Sequence, residues 1–149
     1  MAEKALNRLS CYRLPLLVLL VAVLYLPSLK NGYVGWDDAV IRSNQAIRSL
    51  SIDNLVEMFM PPAGRMASYQ PMRSLVFALV YAANGSRPFG FLVLNILLYI
   101  ANILLFYKLV KYLLQTHGGR GGAQQAENVA LAASAVFAFH PLHVEAVSW

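Results

Sequence analysis

Two histidines and a glutamate lie near the end of the chain, where His140, His143 and Glu145 occupy the segment FHPLHVEA. This segment ends an apolar run that could enter a lipid bilayer. Placing an ionisable side chain close to a bilayer costs free energy, so such residues require a functional or structural reason. The histidines are three residues apart and could share a helix face, with Glu145 off that face unless Pro141 distorts the segment. This spacing differs from the His-Glu-x-x-His pattern of zinc proteases, so a divalent metal is only one option. Neutral histidines that hydrogen-bond inside a helix bundle are the commoner alternative.

A pair of acids, Asp37 and Asp38, follows the sequence GYVGW. Adjacent carboxylates point in different directions, so we expect only one of them to face a reacting group. A carboxylate at a membrane edge can accept a proton from a hydroxyl group or hold a metal ion. Asp38 is also a suitable N-cap for a helix that begins at Ala39. Spacing alone favours a role of Asp38 as a helix cap over a catalytic role.

Arg73 precedes an apolar stretch and lies close in sequence to Tyr69. A guanidinium group matches the geometry of phosphate oxygens, so Arg73 is a candidate for binding a phosphate group. A lone arginine at the start of a helix can equally extend toward lipid headgroups. The sequence context alone favours this second interpretation.

The elements that must position these residues are membrane helices. Of the 149 residues, 58% are hydrophobic and 13% are charged, a composition typical of membrane proteins and rare in soluble domains. The net charge is +5, but the basic residues flank apolar runs, so they indicate membrane topology and not nucleic-acid binding. The single cysteine, Cys11, excludes an internal disulfide.

Three apolar runs predict transmembrane helices at 14–29, 89–114 and 128–149. Basic residues in 1–13 predict a cytosolic N-terminus by the positive-inside rule. Segment 30–88 is then an extracytosolic loop, and the glycine-rich segment 115–127 is a cytosolic connection. In this topology, the aspartate pair and the C-terminal histidines emerge on the same side of the membrane.

The extracytosolic loop is predicted to contain two helices of its own. Ser51 can cap a short amphipathic helix whose apolar positions are Ile52, Leu55, Val56 and Phe59. The apolar stretch 74–83 is too short to span a bilayer, which requires about 20 residues, so we expect a helix at the interface. The predicted fold class is all-α: an integral membrane helical bundle with about three transmembrane helices and interfacial helices in the first extracytosolic loop.

One face of the second predicted span carries residues that can form polar contacts. Asn95, Tyr99, Asn102 and Phe106 recur at helical spacing. In lipid, such a face is expected to point toward protein neighbours.

These segments together resemble one family. The segments are GYVGWDDAVIRSNQAI, YQPMRSLVFALVYAANGSRPFGF, LNILLYIANILLFYKLV and VFAFHPLHVEAVSW. In this order they are similar to the N-terminal part of the tetratricopeptide-repeat-containing membrane glycosyltransferases of the GT-C type, which include the transmembrane O-mannosyltransferases. The chain stops just after the last segment, at Trp149, so we expect it to be the N-terminal fragment of a larger protein.

The resemblance implies a polyprenyl- or dolichyl-phosphate sugar donor and a protein or glycan hydroxyl as acceptor. Sugar transfer would take place on the extracytosolic face of a bacterial inner membrane or an endoplasmic reticulum membrane, in a multi-pass protein. The resemblance assigns catalysis to Asp37 or Asp38. We expect the remaining candidates to bind substrate, namely Arg73, His140, His143 and Glu145. No particular cofactor is predicted, and a divalent metal is compatible with the acids.

Two alternatives use the same segments without sugar transfer. The first is a noncatalytic membrane fragment or assembly module that keeps only the helix packing. In that case Asp38 acts as a cap, and the histidines pair with neighbouring side chains. The second, less favoured, is a piece of a transporter, whose ionisable groups would lie near the middle of the bilayer.

Overall fold

The computed structural model describes residues 2–33, 41–60, 69–117 and 122–148. Every regular element in these ranges is helical, which confirms the predicted all-α fold class. Short 3-10 helices occur at Leu26–Lys30 and Ala46–Arg48. The α-helices whose whole extent lies in the described residues are α1 (Ala2–Tyr25), α2 (Ile52–Phe59), α3 (Pro71–Asn84), α4 (Pro88–His117), α5 (Ala123–Ala138) and α6 (His143–Ser148).

Two segments in the described part of the chain are long and apolar enough to cross a membrane. They are Tyr12–Lys30, with a mean hydropathy of 1.9, and Pro88–His117, with a mean hydropathy of 2.3. Tyr12–Lys30 overlaps the first predicted span, and Pro88–His117 overlaps the second. Helix α5 has 16 residues, and at a rise of 1.5 Å per residue it measures about 24 Å, short of a hydrocarbon core of about 30 Å. The third predicted span therefore stays a prediction.

The chain divides into two compact units, which we call the bundle unit (Met1–Ser28 and Asn95–Ser148) and the loop unit (Leu29–Leu94). In the bundle unit, α5 packs against α1. The buried face of α5 consists of small residues spaced by four, which allow the backbones of neighbouring helices to approach closely. These residues are Ala126, Ala130, Ser134 and Ala138. The hydroxyl of Ser134 donates a hydrogen bond to the carbonyl of Ala130 at 2.8 Å, so the buried polar group is satisfied.

Polar contacts at one end of the bundle unit fix the direction of its helices. Arg13 Nη1 in α1 donates to Asn128 Oδ1 in α5 at 3.0 Å. Lys111 Nζ in α4 pairs with Glu127 Oε2 in α5 at 3.3 Å. The end of α4 therefore lies beside the start of α5, and the two helices run antiparallel.

The buried stripe of α4 only partly matches the predicted polar face. Tyr99 is buried, and the ring of Phe106 stacks on Phe137 at a centroid distance of 4.9 Å. Asn102, however, is exposed, so its predicted place against protein neighbours is wrong. The helix buries Ile103 instead, because the stripe advances by four residues from Tyr99 to Ile103 and leaves Asn102 at its edge.

The loop unit has its own hydrophobic core. Buried residues of this core come from α2, α3, the start of α4 and the segment around the Ala46–Arg48 helix, and they include Ile47, Met58, Ala78 and Phe91. Phe77 and Phe91 meet edge to face at a centroid distance of 5.3 Å, a favourable arrangement for aromatic rings. The loop unit is thus held by packing between segments that are distant in sequence.

The predicted cap of α2 is confirmed, and the predicted apolar positions of the helix divide between the core and the surface. The backbone N–H of Asn54 donates to Ser51 Oγ at 3.3 Å, which satisfies one of the free donors at the helix start. Met58 is buried and Leu55 packs against the same core. Three of the four predicted apolar positions are exposed, namely Ile52, Val56 and Phe59. They leave α2 with an apolar outer surface.

Helix α3 forms where an interfacial helix was predicted, and it is longer than the apolar stretch. It has 14 residues, with Pro71 in its first turn, where a missing N–H costs nothing. Gly85 ends it with a φ of 64°, a conformation that favours glycine. The length of α3 remains below that of a bilayer span.

Truncation of Ile47 tests the core of the loop unit. Ile47 is completely buried, so Ile47→Ala is expected to lower the free energy of unfolding by about 2–5 kcal/mol. Ile52, which is 79% exposed, provides a matched control, and Ile52→Ala should change stability far less. Denaturant titration of the chain in non-ionic detergent micelles measures both values. Equal losses in the two variants would contradict the assigned core.

Candidate functional site

The end of α5 depends on Tyr99. The Tyr99 hydroxyl lies 3.0 Å from the carbonyl oxygen of Ala138 and 3.3 Å from that of Phe137, and it donates to this pair of acceptors. The last carbonyls of a helix have no partner within the helix, and inside a membrane protein such groups require a partner from the protein. Tyr99 is itself 5% exposed, and its ring meets the Tyr25 ring edge to face at 5.6 Å. A side chain from α4 therefore supplies a donor to the end of α5, where the carbonyl of Phe137 also accepts from the backbone N–H of His140 at 3.3 Å.

His143 packs among aromatic rings at this end of the bundle unit. Its ring centroid lies 4.5 Å from that of Phe137 and 5.3 Å from that of Tyr99. Its backbone N–H donates to the carbonyl of His140 at 3.2 Å. The His143 side chain is thus partly buried against Phe137 and Tyr99 and partly exposed.

The structure brings His140 and His143 together, but not on a shared helix face. Their ring centroids are 6.1 Å apart and roughly perpendicular. Helix α5 ends at Ala138 and α6 begins at His143, with a turn at Pro141 and Leu142. The helix-face expectation is therefore wrong. Pro141 has no N–H to continue the hydrogen-bond ladder, and its ring would clash with the preceding turn of a helix.

His140 and Glu145, the other two candidates in this segment, are exposed. The backbone N–H of Leu142 lies 3.3 Å from His140 Nδ1, which accepts this hydrogen bond. An accepting Nδ1 directs the proton of a neutral imidazole to Nε2, so the outward edge of His140 can donate. Glu145 stands in the first turn of α6 with its carboxylate exposed. A hydrogen-bond donor and an acceptor thus lie on one short segment.

Arg73 belongs to the loop unit, in the first turn of α3. Its side chain is exposed, and its guanidinium carbon lies 5.9 Å from the centroid of the Phe77 ring. This cation–π contact orients the side chain while leaving it accessible. Its role in phosphate binding stays a prediction.

The predicted catalytic pair, Asp37 and Asp38, lies outside the described residues. Within the ranges that the structure does describe, no three His, Cys, Asp or Glu side chains form a group able to hold a metal ion. The roles of both aspartates stay predictions.

Two arginines that the sequence did not single out lie together in the loop unit. Arg42 and Arg48 line a cavity of about 400 Å³ with Ile41, Tyr81 and Ser86. The sequence signal is weak, because two arginines six residues apart match no binding motif. Tyr81 and Ser86 come from the end of α3 and the turn after it, and only the fold brings them near.

Comparison with known proteins reveals one group of relatives. The chain is 32% identical over 136 residues to protein O-mannosyl-transferase Tmtc1 of Drosophila melanogaster, with 87% of the chain aligned. It is 30% identical to protein O-mannosyl-transferase Tmtc3 of the same organism and 29% identical to TMTC2 of Homo sapiens, with 85% and 84% of the chain aligned. The chain spans about 15% of the length of these relatives. No family model matches it, and no solved structure is significantly similar.

Removal of the Tyr99 hydroxyl tests its contact with the end of α5. Tyr99→Phe keeps the ring but leaves the carbonyls of Phe137 and Ala138 without this donor, so stability should fall by about 1–3 kcal/mol. Tyr112→Phe, on the same helix but 62% exposed, is the control and should be neutral. Thermal unfolding in micelles measures both variants. A neutral Tyr99→Phe would show that the helix end does not need this bond.

Proposed function

We propose that this chain, a membrane protein homologous to the Tmtc protein O-mannosyl-transferases over most of its length, is part of a membrane glycosyltransferase. The similarity across 84–89% of the chain carries this proposal. The names of the relatives indicate transfer of a mannosyl group to a protein, and we extend that activity to the protein that contains this chain. A glycan hydroxyl is the other acceptor compatible with the same chemistry.

The proposed donor is a sugar linked to a polyprenyl phosphate. In the transfer step, the acceptor hydroxyl oxygen forms a bond to the anomeric carbon of the sugar, and the bond from that carbon to the phosphate oxygen breaks. Asp37 or Asp38 takes the hydroxyl proton, and the phosphate leaves with the bonding electron pair. The charge that develops on the phosphate calls for a nearby cation. The resemblance of the segment around the aspartate pair supports this assignment.

We propose that transfer occurs on the extracytosolic face of a multi-pass protein. Arg13 and Lys111 lie at the end of the bundle unit where α5 begins, whereas Tyr99 and His143 lie where α5 ends. By the positive-inside rule, the basic end faces the cytosol, and His143 then faces the opposite compartment. A bacterial inner membrane or an endoplasmic reticulum membrane satisfies this arrangement.

The exposed polar groups after α5 are proposed to bind substrate. The outward edge of His140 can donate a hydrogen bond to a sugar or acceptor oxygen, and the Glu145 carboxylate can accept one from a hydroxyl. His143 would position His140 through the turn they share. Arg73 is proposed to contribute positive charge from α3 toward a phosphate group.

One observation favours a noncatalytic assembly module as the second candidate. His143 packs against Phe137 and Tyr99, and the segment that contains it closes the end of a helix bundle. Packing alone would account for an imidazole at this position. Under this alternative, the aspartate pair has no role in transfer.

Substitution of the aspartates distinguishes the two candidates. In the full-length protein, Asp37→Ala or Asp38→Ala is expected to lower the rate of sugar transfer from a polyprenyl-phosphate donor to a peptide by roughly 10²–10⁴-fold. Asp53→Ala removes an exposed carboxylate from α2 and should leave transfer unchanged. Unimpaired transfer in both single variants and in the double variant would eliminate the catalytic assignment and favour the assembly module.

Cysteine labelling tests the proposed topology. With Cys11 replaced by serine, Asp53→Cys should react with a membrane-impermeant thiol reagent only from the extracytosolic side. Gln115→Cys, near the end of α4, should react only from the cytosol. Both positions are exposed, so accessibility to the reagent is comparable. Reaction of both cysteines from one side would overturn the assigned topology.

A further inference from the structure

Helix α4 presents an outer face of regularly spaced residues. Six of them follow one another at alternating intervals of three and four, the spacing of a heptad seam along which two helices pack. We call this set the asparagine stripe: Asn95, Leu98, Asn102, Leu105, Leu109 and Tyr112. Its members from Leu98 onward are all exposed, and Leu105 and Tyr112 are 63% and 62% exposed. The stripe is therefore a helix face that is left largely uncovered.

The asparagine stripe is separate from the face of α4 that packs inside the bundle unit. That buried face contains Tyr99, Ile103 and Tyr107. With 3.6 residues per turn, the centre of the stripe points about 130° away from the centre of the buried face. A second helix can therefore lie on the stripe and leave the contacts of Tyr99 with Tyr25 and with the end of α5 intact.

The two asparagines of the stripe lack hydrogen-bond partners. Asn102 is fourteen residues from Pro88 and fifteen from His117, so in a helix that crosses a membrane its amide lies near the middle of the bilayer. Asn95 precedes it by about 10 Å along the helix axis. Among the residues that the structure describes, neither side-chain amide forms a hydrogen bond. Because hydrocarbon supplies no donors or acceptors, these amides require a partner on another helix.

A second copy of this chain matches the stripe at every position. Copies with the same topology in one membrane run parallel, and a two-fold axis between two such helices sets each seam residue opposite its own counterpart. An amide both donates and accepts, so an asparagine can form two reciprocal hydrogen bonds with another asparagine. Charged residues would repel their counterparts in this arrangement, and none of the six residues is charged.

We propose that the asparagine stripe is the contact surface between two copies of this chain in the membrane. Asn95 and Asn102 each pair with their counterpart in the other copy, and the leucines pack between these pairs. A polar residue at a seam position fixes the register of two helices, because a shift along the axis would leave its amide unpaired. Asn102 thus gains from a second copy the protein neighbour that it lacks within one chain. The proposed sugar transfer is not a premise of this contact.

Disulfide trapping in membranes of the expressing cells tests the contact. With Cys11 replaced by serine, Leu105→Cys places one thiol in the stripe of each copy. Leu97→Cys is the matched control, because Leu97 is 58% exposed but lies about 110° around α4 from the centre of the stripe. A disulfide requires Cα atoms about 4.4–6.8 Å apart, a separation that facing seam positions of two packed helices can reach. With a membrane-permeant oxidant, we expect a covalent dimer from Leu105→Cys and a monomer from Leu97→Cys.

Energy transfer between chains that carry donor and acceptor fluorescent proteins at their N-termini measures the strength of association. Asn102→Leu keeps a side chain of similar size and removes the amide, so the dissociation constant of the dimer should rise roughly tenfold. Asn102→Gln keeps an amide and should fall between wild type and Asn102→Leu. Leu109→Ala should weaken association severalfold, whereas Leu97→Ala, at a similarly exposed position off the stripe, should match wild type.

Several results would overturn the proposal. One is a covalent dimer from neither cysteine variant, or from both in equal yield. Another is an unchanged dissociation constant in Asn102→Leu, and if that variant fails to insert, equal values for Leu109→Ala and Leu97→Ala decide against it in the same way. A chain that stays monomeric at every ratio of protein to lipid also refutes the contact, and it leaves lipid or a further helix of the full-length protein on this face. In that full-length protein, Leu105→Cys should give a covalent dimer that is absent when residue 105 is leucine.

Discussion

The hydrogen bonds from the Tyr99 hydroxyl to the final carbonyls of α5 are the contact on which the bundle unit depends. A chain that enters a membrane must pair its backbone polar groups within the protein, since lipid supplies no donors. Pro141 stops the helix shortly after Ala138 and cannot provide an N–H to the carbonyls before it. Tyr99 resolves this problem from another helix, and the same ring then packs against His143. One tyrosine therefore both ends a helix and positions the segment that follows it.

Local features of the sequence predicted much of the fold. The Ser51 cap, the helix that ends at Gly85 and the long apolar helix α4 each follow from a few neighbouring residues, and each is present. Contacts between distant residues were harder to predict. Periodicity identified an apolar face on α2, but only tertiary packing decides that Met58 is buried while Ile52 is exposed. The same limit applied to Asn102, whose position at the edge of a buried stripe depends on how α4 meets its neighbours.

The candidate site was predictable to a different extent in each unit. The pair of histidines was predicted as a candidate site from residue type, and the structure brings their rings together. Their arrangement around a turn required knowledge of where α5 ends. The sequence did not predict a cavity at Arg42 and Arg48. Tyr81 and Ser86 also line this cavity, and they lie more than thirty residues further along the chain. A cavity with walls from separate segments leaves no periodic pattern for a sequence to display.

The small residues on the buried face of α5 have a consequence for how this protein is made. Alanine gains little free energy from entering lipid, and α5 also carries Gln124, Glu127 and Asn128 near its start. Such a segment is a poor candidate for independent insertion as it leaves the ribosome. Its neighbours α1 and α4 are synthesised first, and they offer both a close-fitting surface and the partners Arg13 and Lys111 for its polar residues. On the predicted three-span topology, integration of α5 into the membrane is therefore a late, assisted step that depends on helices already in place.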